Sequence, residues 1–231
     1  MMHYGKSLYQ SNQTYLVHTF NNREEWLNGR VNLHGIGGSD ASAAIGMNPW
    51  RSNLDLWMIK TGRKEAPDIS DNERVKYGQN AEEYIRRLFQ LKFKDEYEIQ
   101  YQDNTILQNV NNKYMLYSPD GLILEKATGR KGIFECKTTT LMKSYDKEKW
   151  RDCIPENYYI QVIHGLNTTG FDFVDLYAEI AYDKDYSQLK RYHIERDDKI
   201  DDLNFEQDGI SSFWNNYIVT DKEPPLIIRG L

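Results

Sequence analysis

Asp120, Glu135 and Lys137 are the residues whose types and spacing could do chemistry. Asp120 follows Ser118 and Pro119 and opens the run Gly121-Leu122-Ile123-Leu124; a polar turn then leads to Ile133-Phe134-Glu135-Cys136-Lys137. Pro-Asp-Gly is turn chemistry, so Asp120 is expected at a hairpin corner, and residues 132–136 read as the second strand. Strand side chains alternate, so Glu135 and Lys137 share a face with Ile133, while Phe134 and Cys136 face the other way. Two carboxylates and a lysine would therefore converge on one sheet edge. Paired carboxylates can hold a hard divalent cation such as magnesium. A cation bridging to a phosphate stabilises charge on the scissile group and lowers the pKa of a bound water, which a neighbouring ammonium can orient. In outline this is phosphodiester hydrolysis. The bland alternative is a hairpin with a surface Asp and a Glu–Lys pair. A pattern this loose arises often by accident, so the weight falls on its companions.

Those companions lie on helices. Residues 71–94 read as the longest helix, with an apolar stripe of Gly78, Ala81, Ile85, Leu88 and Phe89. Glu82 falls about 70° from the centre of that stripe and Glu83 about 170° away, so Glu82 borders the buried face and Glu83 points to water. A carboxylate beside a core needs a cation or donor; the alternative is a surface Glu82–Arg86 pair at i, i+4. A second helix begins at Pro155-Glu156, runs to about Leu166 and ends over 167–170. It carries Gln161, a surface residue or a site residue, and His164, read as a packing or surface histidine because no second His or Cys has ligand spacing.

Between residues 30 and 46 the chain reads RVNLHGIGGSDASAAIG. Gly35, Gly37 and Gly38 make a turn, and Ser39 or Asp40 is expected to cap a helix through Ile45. A glycine-rich turn feeding a helix suits a phosphate, and Arg30 could add a bidentate contact; the alternative is a plain capped loop. No Gly-Lys-Ser/Thr follows, so it is not a P-loop. Elsewhere, residues 1–22 read as an arm or irregular lead-in and 23–29 as a short helix ended by Gly29. Ser52 caps a helix through Lys60, stopped by Gly62. Strands are expected at 97–101, 105–108, 114–117, 173–182 and 189–194, and a final helix at 197–218, with an extended Pro224-Pro225 tail. Residues 138–153, with Lys143, Lys147, Lys149, Trp150 and Arg151, form either a DNA-touching loop or a solvated surface.

The 231 residues, 39% of them hydrophobic, suffice for a core, and a single domain over 1–231 is expected. The net charge of −6 does not favour a nucleic-acid partner. A metal site must be acidic, however, and a DNA channel needs only a local basic patch. The two cysteines, Cys136 and Cys153, form no CxxC and exclude a four-cysteine zinc or iron–sulfur site within the chain. With no apolar stretch of membrane-spanning length and no signal-peptide pattern, a cytoplasmic location in a bacterial host cell is expected.

Five segments taken in order, GIGGSDASAAIG (35–46), YGQNAEEYIRRLF (77–89), SPDGLI (118–123), FECK (134–137) and YYIQV (158–162), resemble the phage lambda exonuclease / YqaJ-like viral recombinase nucleases of the PD-(D/E)xK superfamily. The resemblance implies an α/β restriction-endonuclease-like core, a central mixed β-sheet flanked by helices, with a helical N-terminal part. It implies that Asp120, Glu135, the backbone carbonyl of Cys136 and Glu82 hold Mg2+, with Mn2+ as substitute. Lys137 would ready the attacking water and Gln161 would orient it, while Ser39, Ser118 and Arg30 would meet the DNA phosphate. It further implies 5′→3′ exonuclease action on duplex ends, a 3′ strand passed to an annealing protein, and a homo-oligomer, by analogy a trimer. A PD-(D/E)xK endonuclease, a single-strand nuclease and a non-catalytic DNA-binding protein are the alternatives; the iron–sulfur single-strand type is disfavoured by the missing cysteines.

Overall fold

The computed structural model describes residues 7–141, 148–183 and 185–228. Its centre is a five-stranded mixed sheet in the order β3 (Tyr97–Gln100), β6 (Gly121–Glu125), β7 (Lys131–Thr140), β8 (Phe173–Ala181), β9 (Ser187–Glu195). A second, four-stranded sheet runs β1 (Tyr15–Thr19), β4 (Thr105–Asn109), β5 (Met115–Tyr117), β2 (Ile36–Gly37). The helices are α1 (Arg23–Asn32), α2 (Gly38–Ala44), α3 (Asn53–Lys60), α4 (Glu73–Lys92), α5 (Glu156–Thr169) and α6 (Ile200–Phe213); a π-helical turn, Trp214–Ile218, extends the last.

The expected β6–β7 hairpin is present, antiparallel with Gly121 opposite Phe134, but Asp120 lies at its open end just before β6 rather than at a hairpin corner, because the chain arrives there from β5 of the other sheet. β7 then pairs parallel with β8. A parallel pair needs a long crossover, and α5 lies in it. Ten of the residues of α5 are buried, among them Ile160, Val162, Ile163, His164 and Leu166. A helix apolar on most of its circumference must be covered on all sides, and α5 runs between the two sheets, α2 and α6. Because β7 is covered on both faces, its alternation divides two cores. Ile133 joins Leu122, Val162, Ile163 and Leu166, whereas Phe134 and Cys136 join Ile85 and Phe89 under α4.

Several expectations need correction. Tyr15–Thr19 is a strand, not an irregular lead-in, and Leu8, Tyr9 and Tyr15 are core residues. Gly29 does not end α1; a Cβ there would stand 2.2 Å from the Phe20 ring, so glycine serves close packing inside the helix. β7 extends to Thr140, and Trp150, far from touching a partner, is buried against Tyr158 and Tyr192. Lys143 and Lys147 lie outside the described residues. Leu88 is 46% exposed because only the edge of α4 bearing Ile85 and Phe89 meets the sheet. α5 continues to Thr169 and stops at Gly170, whose φ of 70° suits a residue without Cβ. Ser52 caps α3, accepting from the Asp55 amide at 3.0 Å, as expected.

Away from the site, buried Asp175 accepts from Arg191 Nε at 2.6 Å and Nη2 at 2.8 Å and bonds His193 Nδ1 at 2.9 Å. The bond to Asp175, joined by one to Glu195, holds the His193 imidazole above its ordinary pKa although burial opposes this. A histidine raised in the folded state stabilises fully below its unfolded value of about 6.5, and the contribution fades as pH rises through the folded value. The thermal midpoint of His193→Gln should therefore trail wild type most at pH 5.5–6, with the gap narrowing towards alkaline pH. A gap that widens with pH would contradict this.

Candidate metal and phosphate site

The site gathers where β7 passes the end of β6. There the ladder runs out of main-chain partners, and the Asp120 carboxylate takes over, accepting from the Cys136 amide at 2.7 Å. A residue's N–H and C=O point to the same side of an antiparallel ladder, so the Cys136 carbonyl is turned to that same edge. Arg86, stacked 3.5 Å over Tyr101, donates to the Asp120 carbonyl at 2.8 Å. Arg86 thus serves the Asp120 turn rather than pairing with Glu82. Glu83 is exposed and bonds Arg87, as the helical wheel required.

Glu135 is 1% exposed, and both its oxygens are occupied. Oε1 accepts from Lys137 Nζ at 2.6 Å and from the Gln161 amide. Oε2 accepts from the Tyr117 hydroxyl at 2.5 Å. Gln161 is therefore half-buried against Glu135 and not a plain surface glutamine. Lys137 also lies 5.3 Å from the centre of the Tyr158 ring.

The electrostatics show what this arrangement lacks. Burial, joined by the charges of Glu135 and Glu82, pushes the Asp120 carboxyl well above the usual range, with Lys137 pulling the other way. Burial also raises Glu82, which faces Lys137, Glu135, Arg86 and Arg23. Burial alone would lower Lys137, but Glu135 and Asp120 outweigh it and hold its pKa above the ordinary lysine value. Three buried or half-buried carboxylates thus share one ammonium. Among the described residues no three His, Cys, Asp or Glu side chains stand together as a metal-holding group. The donor set still fits a magnesium-like ion, which takes one or two carboxylates and keeps several waters. Asp120, Glu135 and the Cys136 carbonyl are oxygen donors whose mutual repulsion a divalent charge would relieve.

A second cluster borders the first. β2 pairs parallel with β5, Gly37 opposite Leu116, so Ser39 and Ser118 each lie two residues past that pair at the same end of the sheet. Ser39 is exposed in the first turn of α2. Neither Ser39 nor Asp40 is the cap; Gly37 holds that place, without a side-chain bond. Asp40 instead turns inward, 6% exposed, and pairs with Lys60 at 2.8 Å and Arg51 at 2.9 Å. Burial would raise its carboxyl, but Lys60, Arg30 and Arg51 together hold it below the usual range. One carboxylate among three cations leaves local positive charge beside Ser39 in a chain that is acidic overall. Tyr117, Arg51 and Lys60 were not legible as site residues; their sole signals are that Tyr117 precedes Ser118-Pro119-Asp120 and Arg51 opens a helix cap.

A family model for the YqaJ-like viral recombinase domain matches residues 25–172, a stretch that contains Arg30, Ser39, Glu82, Ser118, Asp120, Glu135, Lys137 and Gln161. The chain belongs to this family. YqaJ of Bacillus subtilis (strain 168) is 32% identical over 205 residues, which are 88% of this chain and 59% of the relative; the chain thus spans about three-fifths of that protein's length. Among solved structures, the YqaJ-like chain has the fold of an alkaline exonuclease (LHK-Exo) from Laribacter hongkongensis, with a TM-score of 0.63, 18% identity, and coverage of 85% of this chain and 93% of the other. A phage-related exonuclease from Haemophilus somnus 129PT matches at a TM-score of 0.54 and 14% identity, covering 81% and 96%. The restriction-endonuclease-like α/β core expected from the sequence is therefore present, and a second, four-stranded sheet lies beside the expected one. Among the described residues no helix of this YqaJ-like chain is long and apolar enough to cross a membrane.

Proposed function

We propose that this chain is a metal-dependent DNA exonuclease that degrades duplex from 5′ ends and leaves 3′ strands for recombination, acting as a homo-oligomer beside an annealing protein. The observation that carries this reading is Glu135 bonded to Lys137 and Gln161 beside Asp120, whose carboxylate takes the Cys136 amide, with Glu82 close enough to feel their charges. The names of the structural neighbours, both exonucleases and one also solved with dAMP, support it.

In this reading Asp120, Glu135 and the Cys136 carbonyl hold Mg2+, with Glu82 completing the set and Mn2+ able to substitute. When bound, the ion neutralises the carboxylates and makes a water acidic enough to attack phosphorus. Lys137, bonded to Glu135, stands beside that water and readies it for attack. Gln161, fixed by its bond to Glu135, keeps that carboxylate from swinging towards the lysine alone. Ser39, Ser118 and Arg30 contact the DNA phosphate, with Arg51 and Lys60 supplying the positive field that the net charge withholds.

The test is digestion of linear duplex labelled at the 5′ or the 3′ end, with Mg2+ or with EDTA. Early release of labelled mononucleotide from the 5′ end, only with the metal, is the expected result. Release from the 3′ end first would reverse the polarity. Cutting of covalently closed circles would make the protein an endonuclease, and DNA binding without cleavage would make it a non-catalytic binder.

A further inference from the structure

Among the described residues, Tyr117 is the one hydrogen-bond partner of Glu135 that the proposed chemistry does not use. Its hydroxyl reaches Glu135 Oε2 at 2.5 Å, on the opposite side of the carboxylate from Lys137 and Gln161. A phenol has one proton and a carboxylate none to give, so the tyrosine donates. With donors on both oxygens, the carboxylate plane cannot rotate. The remaining lone pairs then keep a single direction.

The place of the ring is built by two glycines. A Cβ on Gly38 would stand 2.8 Å from Tyr117 Cε2, and one on Gly165 would stand 2.7 Å from Cζ and 2.9 Å from Cε2. Neither glycine has a positive φ. Both are there to let α2 and α5 close on the aromatic ring. The second glycine of the Gly37-Gly38 turn therefore faces a tyrosine, and the turn is a wall of the slot as well as the approach to Ser39. Tyr117 itself is 1% exposed and belongs to the central core. Its hydroxyl is thus held by packing and not by a flexible chain, which is what fixing a neighbouring group requires.

We infer that Tyr117 is a positioning residue for the divalent cation: its hydroxyl, held in the Gly38–Gly165 slot, locks the Glu135 carboxylate in the orientation that receives the ion. This rests on the metal-dependent reading above, and the experiment separates the two. Tyr117→Phe keeps the ring and removes only the hydroxyl. Mn2+ is titrated calorimetrically into wild type and variant without DNA, and duplex affinity is measured in EDTA. The expected result is a Mn2+ dissociation constant raised about ten-fold, the lower end of what losing a ligand's hydrogen-bond partner does, with duplex affinity within about two-fold of wild type. An unchanged Mn2+ affinity overturns the inference while leaving the metal-dependent reading intact. Equal weakening of Mn2+ and DNA binding, or loss of the folded state, also overturns it, since the hydroxyl would then serve the fold generally. If wild type binds no Mn2+, the metal reading fails and this inference falls with it.

Discussion

Lys137→Ala should lower the rate of duplex digestion about a hundred- to a thousand-fold at saturating Mg2+, the usual cost of removing one fixed donor from a site where charge develops. The lysine is suited to that role by its surroundings. Its Nζ lies 2.6 Å from Glu135 and faces the Tyr158 ring, and the neighbouring carboxylates keep it protonated despite burial. Alanine removes the donor but no metal ligand, so Mn2+ affinity should hold or rise as Glu135 loses a competing cation. Glu135→Gln should behave in the opposite way and lose the ion itself. Initial rates on 5′-labelled duplex, set beside calorimetric Mn2+ titrations, separate the two. A Lys137→Ala enzyme within about two-fold of wild type would remove the lysine from the chemistry.

What could be read from the sequence followed how far apart the interacting residues lie. Asp120, Glu135 and Lys137 belong to one hairpin; the period of two fixes which side chains meet, although Asp120 lies at the open end of the hairpin and not at the corner its Pro-Asp-Gly context suggests. Glu82 was legible as a residue at the border of a buried face because the 3.6 period places it there, though the wheel said nothing of what it would meet. Gln161 came from the family resemblance; its partner is 26 residues away on another element. Tyr117 gave no signal beyond its place before Ser118-Pro119-Asp120, because it matters only when α2 and α5 close on it. Asp40 was read as a cap because an acid after glycines usually is one; its true partners, Arg51 and Lys60, arrive from α3 and the turn before it. β1 was missed for the same reason: Tyr15 pairs with Asn109, so the polar lead-in becomes a strand only beside a segment some ninety residues on. Leu88 shows the converse. The pattern placed it on the apolar stripe, but α4 packs on the sheet through Ile85 and Phe89 and leaves that side exposed.

Glu206→Leu should destabilise the fold by about 3–5 kcal/mol, the usual consequence of removing one member of a buried polar pair, and lower the thermal midpoint by on the order of 10 °C in a chain of this size. Glu206 and His164 are both fully buried, with Glu206 Oε1 2.6 Å from His164 Nδ1, and Glu206 Oε2 accepts from Asn167 at 2.7 Å. The other ring nitrogen of His164 faces the carbonyls of Ile36 and Leu116 at 3.0 and 3.2 Å. Carbonyls only accept, so Nε2 carries a hydrogen, and one proton lies between Nδ1 and the carboxylate. The imidazole thus joins β2 to β5 at the end from which Ser39 and Ser118 emerge, and α6 holds the imidazole in turn. Leucine leaves His164 Nδ1 without its buried partner and strips the Asn167 amide of one of its two acceptors, the Leu203 carbonyl at 2.8 Å remaining. His164→Phe combined with Glu206→Leu should recover part of the loss, because an apolar pair leaves fewer orphaned groups than a broken polar one. Scanning calorimetry of the two single variants and the double variant measures that coupling. A Glu206→Leu midpoint within about 2 °C of wild type would mean that α6 packs by its apolar face alone, and that the register of β2 and β5 is held by something other than His164.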